Sequence, residues 1–257
     1  MTRRARTFPV LLSVALAFVV WFVVARLGWV GKSLLASPGE VAGVLARALR
    51  PANSGQAVFT HAAHTVGRAL AGWAIALTGG GVIGLLLGWS SRVYRATEPL
   101  FEFARAIPPI MAFPLFLVAF DFGAPAFVWT IALGCLPIMV LAVARGVQGL
   151  DPARQELLAV HDVSRGLRTA ASIVEILPAL FLGARLTFSI SLIVAVVTEM
   201  VFSPRSGFAL GALAKDSQIS FDTPTFFACI LVLGTYGYAV NAVMRHLEWR
   251  LSGESTS

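Results

Sequence analysis

Long apolar runs separated by short polar stretches dominate the chain. About twenty apolar residues, at a rise of about 1.5 Å each, cross the hydrocarbon core of a bilayer. Six runs have this length, which predicts membrane spans over residues 8–27, 66–89, 100–120, 127–144, 179–202 and 226–244. After the first span, Ser37 and Pro38 begin a stretch with apolar residues at helical spacing, which predicts a short helix at the membrane surface. The pattern therefore predicts an all-α integral membrane protein.

The third predicted span contains three prolines, Pro108, Pro109 and Pro114. Proline donates no backbone hydrogen bond and its ring collides with the preceding helical turn, so this span must bend or break. Irregular backbone persists in a membrane only where protein covers it or where it lines a cavity. Glu102 and Arg105 lie three residues apart just before the break, and we expect them to form a local ion pair.

Composition and charge restrict the function classes. The chain is 57% hydrophobic and only 13% charged, which is outside the range of soluble domains. The net charge of +7 comes mostly from arginines scattered one or two at a time at the edges of apolar runs, a pattern that orients helices and forms no nucleic-acid-binding face. With Arg68 and Arg105 set aside as ambiguous, the positive-inside rule favours cytoplasmic N- and C-termini. The first apolar run is long for a cleavable signal peptide and lacks a convincing cleavage site.

Few side chains within the spans offer chemistry. Glu199 lies about twenty residues into the fifth span, where it could contact solute, reach water or pair with Arg205. His61 and His64 have a spacing seen in metal sites, but no third ligand is near them, and we predict no metal. Glycines in the second span, among them 79–81, 84 and 88, predict a helix-packing surface, either within this chain or against a second copy.

The order of landmarks from residue 35 to residue 250 resembles the permease subunit of ATP-binding-cassette importers, in the branch that handles nitrate, sulfonates and taurine. The residues that carry the resemblance are Leu35-Ala36-Ser37-Pro38-Gly39-Glu40-Val41, Arg105-Ala106-Ile107-Pro108-Pro109 with Pro114, Gly183-Ala184-Arg185-Leu186, and Thr198-Glu199-Met200 followed by Ser206-Gly207-Phe208. Taken together over this length, they are far more specific than any one short motif.

The resemblance implies a fold and a function. It implies one transmembrane domain, 1–257, of the type I importer permease kind, with a first helix and external loop at 1–34 and a family-like core at 35–250. It further implies a subunit of the bacterial inner membrane that takes up a small solute of the nitrate, sulfonate, taurine or pyrimidine-precursor type. The expected partners are cytoplasmic ATP-binding subunits, an external solute-binding protein and a second permease chain, identical or homologous. The chain lacks a phosphate-binding Gly-rich loop, so we expect it to be no enzyme and to have no cofactor, and we expect the partner subunit to bind and hydrolyse ATP.

Two groups of candidate functional residues follow from the resemblance. The segment 150–178 would be a cytoplasmic loop that docks on the ATPase, although its centre departs from the family pattern, with leucines in place of paired alanines and Asp162 in place of a glycine. Its candidate coupling residues are Glu156, Leu157, Leu158, Asp162, Gly166, Ile176, Leu177 and Pro178. Candidates for the translocation path are Arg105, Pro108, Pro109, Met111, Thr198 and Glu199. The alternative function is a secondary transporter driven by an ion gradient, which would commonly show inverted repeats and ionisable residues at mid-span.

Overall fold

Helices form all the regular structure in the described part of the chain. The computed structural model describes residues 3–31, 34–49, 58–151, 153, 164–203 and 207–252. The helices are α1 (Arg3–Leu27), α2 (Pro38–Ala48), α3 (Val58–Gly88), α4 (Ser91–Ala106), a 3₁₀ turn (Pro109–Ala112), α5 (Phe113–Phe120), α6 (Ala124–Gln148), α7 (Arg165–Phe202), α8 (Leu210–Ile219) and α9 (Thr223–Ser252). The predicted all-α fold is thereby confirmed.

Four of the predicted spans are single helices that are long and apolar enough to cross a membrane. They are α3, α6, the Ser172–Phe202 part of α7 and the Thr223–Arg250 part of α9. The first predicted span forms α1, whose described apolar part, Ala15–Leu27, is shorter than a full crossing. Large apolar side chains stay exposed on these helices, as at Leu16 and Leu86, which suits surfaces that face lipid.

The third predicted span breaks at its prolines, as expected. Helix α4 ends at Ala106, and the 3₁₀ turn with α5 continues at an angle of 87° to it. Neither half has the length of a crossing, whereas the bent pair together qualifies as one. Only the bounds of this span are corrected: residues up to Ala106 belong to the amphipathic α4, which begins at Ser91, and Pro108 caps the 3₁₀ turn.

The predicted loop 150–178 is largely helical at its C-terminal side. Helix α7 begins at Arg165 and runs through Pro178 without interruption, so the fifth span starts earlier than the predicted residue 179. Gly166, one of the candidate coupling residues, lies inside this helix. Proline tolerates such a place where its missing hydrogen bond and its ring are accommodated locally. The coupling candidates Glu156, Leu157, Leu158 and Asp162 lie outside the described residues.

The predicted surface helix is confirmed as α2. The Ser37 hydroxyl accepts a hydrogen bond from the Glu40 N–H (3.3 Å), and the Glu40 carboxylate accepts one from the Ser37 N–H (2.8 Å). This reciprocal capping box satisfies two backbone donors at the helix start. Val41 and Val44 are buried in a cluster with residues of α8 and α9, so α2 is fastened to one end of the bundle.

The glycine series of α3 is a packing surface within this chain. A Cβ on any of four glycines would lie less than 3 Å from a Cβ of α6, and these glycines recur at multiples of four residues: Gly72, Gly80, Gly84 and Gly88. Ala76, at the same spacing, is fully buried. Small residues let two helices approach closely in lipid, where van der Waals packing drives association. The choice between an internal contact and a contact with a second copy is thus resolved for these four glycines.

We predict that Gly84→Ala destabilises the protein, whereas Gly81→Ala does not. A Cβ at Gly84 would lie 2.7 Å from the Val140 carbonyl oxygen and 2.8 Å from the Val143 Cβ, while none of the described heavy atoms outside the local helix lies within 4 Å of one at Gly81. Overpacking of this kind costs about 1–3 kcal/mol.

The measurement is the temperature at which half of the detergent-purified protein loses its monodisperse elution peak. Both variants gain the same helix propensity, so the difference between them isolates the close contact. Equal transition temperatures for the two variants would show that α3 and α6 do not pack through this surface.

Candidate functional site

A buried ion pair lies near the C-terminal end of α7. Glu199 is completely buried, and its Oε1 lies 3.2 Å from Nε of Arg68 on α3, whose side chain is only 7% exposed. Both charged groups are therefore shielded from solvent. Ionisable residues inside a membrane segment are costly unless they are paired, and they commonly mark functional sites.

The same carboxylate caps helix α8. Ala209, the residue before α8, supplies no side-chain cap. Instead, the Gly211 N–H donates to Glu199 Oε2 (3.1 Å), and the Leu210 N–H donates to the Thr65 hydroxyl (2.8 Å). The Thr65 hydroxyl lies 2.7 Å from Glu199 Oε2, to which it donates. A negative charge at a helix N-terminus is also favoured by the helix dipole, so Glu199 stabilises both α8 and Arg68.

Further contacts of Arg68 and His61 complete this cluster. Arg68 donates to the carbonyl oxygen of Phe208 and lies with its guanidinium 5.5 Å from the ring centre of Phe127 on α6. Nδ1 of His61 is 3.1 Å from the Ala209 nitrogen and 2.9 Å from the Ala209 oxygen, so it accepts or donates according to its tautomer. We call Thr65, Arg68, Glu199 and His61 the buried polar cluster. It joins α3, α6, α7 and the segment that enters α8.

The break in the third span packs against a glycine of α6. A Cβ at Gly134 would lie within 2.9 Å of the Pro109 Cβ and 3.6 Å from Val194 Cγ2 on α7. Only a residue without a side chain lets the proline ring approach so closely. Phe113, which follows the 3₁₀ turn, is fully buried and stacks on Phe202 at a ring-centre distance of 4.4 Å. The bend is therefore fixed by packing against both α6 and α7.

A network of charged residues ties α4 to the C-terminal end of α6. Arg145 pairs with Glu98 (3.2 Å) and with Glu102, and Glu102 also pairs with Arg105 as the spacing predicted. The Tyr94 hydroxyl donates to Glu98 (2.6 Å). These side chains are partly exposed, so each pair alone adds little stability. Together they fix the position of α4 beside the end of α6, directly before residues 150–178.

The family profile described as "Binding-protein-dependent transport system inner membrane component" matches residues 80–253. The chain belongs to this family. It is a permease subunit of a transport system, it resides in the cell membrane with several crossings, and the family is not one of enzymes.

Permeases with different solutes are similar to this one. The chain is 28% identical over 247 residues to a putative aliphatic sulfonates transport permease of Bacillus subtilis, covering 94% of this chain and 85% of the relative. It is 24% identical to a nitrate import permease of Leptolyngbya laminosa, covering 79% and 72%. It is 27% identical to a formylaminopyrimidine transport permease of Halalkalibacterium halodurans, covering 90% and 89%. These matches place the permease in the nitrate and sulfonate branch that the motifs resembled.

The structure places the path candidates in two groups. Arg105, Pro108 and Met111 lie exposed at the break, and Met111 is 70% exposed. Glu199 belongs to the buried polar cluster, and Thr198 beside it is fully buried, with no hydrogen-bond partner for its hydroxyl among the described residues. Pro109 lies against α6 and near Val194 of α7. Val194 precedes Thr198 by about one helical turn, so α7 connects the two groups.

The described coupling candidates lie on α7. Ile176 is buried near Gly146 of α6, whereas Leu177 is half-buried and Pro178 is exposed. The family pattern gave these three residues as the end of a docking loop, but they form part of the helix that crosses the membrane. Ile176 therefore contributes to packing between α6 and α7.

Sequence reasoning missed Arg68, Thr65 and His61 as members of one cluster. Arg205, the suggested partner of Glu199, lies outside the described residues, and the structure pairs Glu199 with Arg68. A signal did exist, because Thr65 and Arg68 are three residues apart and so share a helical face at the start of an apolar run. An arginine at that place needs an acidic partner, and Glu199 is an acid within the fifth predicted span.

We predict that Arg68→Gln and Glu199→Gln each destabilise the permease strongly, by about 3–5 kcal/mol, because each leaves one buried charge without its partner. The double variant should lose less than the sum of the two single losses. Arg105→Gln, at a partly exposed pair, is the matched control and should change stability by no more than about 1 kcal/mol. Thermal transitions of the four purified variants measure this, and strictly additive losses would contradict a coupled pair.

Proposed function

We propose that this permease forms the translocation path of an ATP-driven importer for a small organic or anionic solute. The observation that carries the proposal is the match, over most of the chain, to permeases named for aliphatic sulfonates, nitrate, bicarbonate and formylaminopyrimidine. Three of these four solutes are anions with a compact, hydrogen-bonding head. We therefore propose nitrate, a sulfonate anion or the zwitterionic sulfonate taurine as the solute class, with a pyrimidine precursor as the uncharged alternative.

The broken third span is the proposed border of the path. Irregular backbone in a membrane needs protein or a water-filled cavity beside it, and Pro109 has protein on one side through Gly134. The exposed residues on the other side are Arg105, Pro108 and Met111, which we propose to face the path. The complete burial of Thr198 and Glu199 favours a supporting role for them, in which the buried polar cluster holds α8 at the mouth of the path.

We propose that the α8 end of the bundle faces the external solute-binding protein. A groove of about 930 Å³ lies there between α2, α8 and the start of α9. Its lining includes Glu40, Arg47, Asp216 and Asp222, so it presents polar and charged groups at an end where the apolar spans stop. The positive-inside prediction places this end outside the cell.

At the opposite end we propose a contact with cytoplasmic ATP-binding subunits, which bind the ATP. The contact would use residues 150–178, with Glu156, Leu157, Leu158 and Asp162 at its centre and Gly166 through Pro178 on the first part of α7. The Arg145 network supports this location, because it fixes α4 to the end of α6 where the segment begins. A second permease chain, identical or homologous, completes the pore in this proposal.

ATP-dependent uptake tests the proposed transport. The permease is reconstituted in vesicles with its ATP-binding subunit and its binding protein, and radiolabelled sulfonate, nitrate and taurine are offered in turn. We expect uptake that requires ATP and the binding protein and that persists when an ionophore collapses the proton gradient. Uptake that stops with the ionophore and ignores ATP would instead support a secondary transporter.

Substitutions in the proposed coupling segment should separate binding of the ATPase from membrane insertion. We expect Asp162→Lys or Leu158→Glu to lower transport-stimulated ATP hydrolysis and capture of the ATP-binding subunit by about tenfold, the loss that follows from burying one unpaired charge at an interface. Asp216→Lys makes the same charge change at an exposed position at the other end and should leave ATPase capture unchanged. Capture by Asp162→Lys or Leu158→Glu at the wild-type level would place the ATPase contact elsewhere.

A further inference from the structure

A groove between α7 and α9 combines basic, polar and apolar side chains. It has a volume of about 380 Å³ and lies toward the end of the bundle that holds the Arg145 network. Its polar lining consists of Arg185 and Ser189 on α7 and Asn241 and Arg245 on α9. Leu182, Leu186 and Tyr238 supply the apolar surface beside them, and each of these three is at least half exposed.

Among the described residues, the groove holds two arginines, one of which is paired with a carboxylate. Arg185 is balanced by Glu248, whose carboxylate lies 3.2 Å from its Nη1. Arg245 is exposed, and none of the described carboxylates forms an ion pair with it. Its guanidinium lies 5.9 Å from the ring centre of Tyr238, an arrangement that orients the cation along the groove. Asn241 donates to the Ser189 hydroxyl (3.3 Å), and this hydroxyl donates to the Arg185 carbonyl oxygen (3.2 Å), so Arg245 is the group of the groove that is left to bind an anion.

The depth of the groove corresponds to the boundary between acyl chains and headgroups. Arg185 lies 17 residues before Phe202, or about 26 Å along α7, and Arg245 lies 22 residues after Thr223, or about 33 Å along α9. The hydrocarbon core is about 30 Å thick. Trp249, which is exposed, lies one helical turn beyond Arg245, and aromatic residues are usual at membrane interfaces.

We propose that this groove binds the headgroup of an anionic phospholipid. Arg245 would bind the phosphate, and the acyl chains would lie along Leu182 and Leu186. Basic pockets between membrane helices on the cytoplasmic side are sites of this kind. Lipid is the source of the phosphate because a soluble anion would leave the exposed leucines and Tyr238 without a partner. The predicted topology puts the groove in the cytoplasmic leaflet.

Retention of lipid by the intact permease tests the proposal. The wild-type chain is reconstituted in nanodiscs of phosphatidylcholine with a minor fraction of phosphatidylglycerol, released, and analysed by native mass spectrometry. We expect one phosphatidylglycerol to be retained in preference to phosphatidylcholine. Arg245→Gln should lower that retention about fivefold, which corresponds to about 1 kcal/mol for one basic residue at an anionic surface. Arg245→Lys should keep most of it.

Two controls make the outcome decisive. Arg250→Gln removes an exposed charge from the same end of α9 and should retain the lipid like the wild type. Equal losses from Arg245→Gln and Arg250→Gln, or no loss from Arg245→Gln, would overturn the site. Displacement of the lipid by inorganic phosphate would also overturn it in favour of a free-anion site. The readout is binding alone, so a failure here leaves the transport proposal standing, and a failure of transport leaves this result standing.

Discussion

A charge inside a membrane protein needs a partner within the protein, because no water is there to solvate it. The pair of Arg68 and Glu199 satisfies this requirement and does more. Its carboxylate also accepts from the N-terminus of α8, and its guanidinium donates to the segment that enters α8. The position of α8 and the packing of α2 and α9 on it therefore depend on one ion pair. Removing either charge would leave the other buried at high cost.

The opposite end of the bundle is held together by different means. The Arg145 network there is partly exposed, and the close contact of α3 with α6 depends on four residues that lack side chains. Gly134 of α6 permits a close contact in the same way, because its missing side chain leaves room for the Pro109 ring. The permease thus combines tight apolar packing along its length with a charged cluster at each end. Of these clusters, only the one around Glu199 is fully buried.

The sequence predicted those features that depend on residues close to one another along the chain. The length of the apolar runs predicted the spans, the prolines predicted the break, and Ser37 with Pro38 predicted the start of α2. The partner of Glu199 was not predictable in this way, because Arg68 is separated from it by most of the chain and both residues are brought together only by packing. The start of α7 was also missed, since a proline in a polar stretch normally argues against a continuous helix. The resemblance of the motifs predicted the protein family, whereas the buried polar cluster could be recognised only in the three-dimensional structure.

The unbroken course of α7 has a mechanical consequence. Its 38 residues form a rod of about 57 Å, with Pro178 within it and Glu199 near its far end. A rigid rod of that length, tilted by roughly 5° about its midpoint, moves its two ends by about 2.5 Å in opposite directions. A displacement at Arg165 would thus reach the anchor of α8 without any relay of side-chain rearrangements. A tilt of this one helix would therefore move both ends of the bundle together.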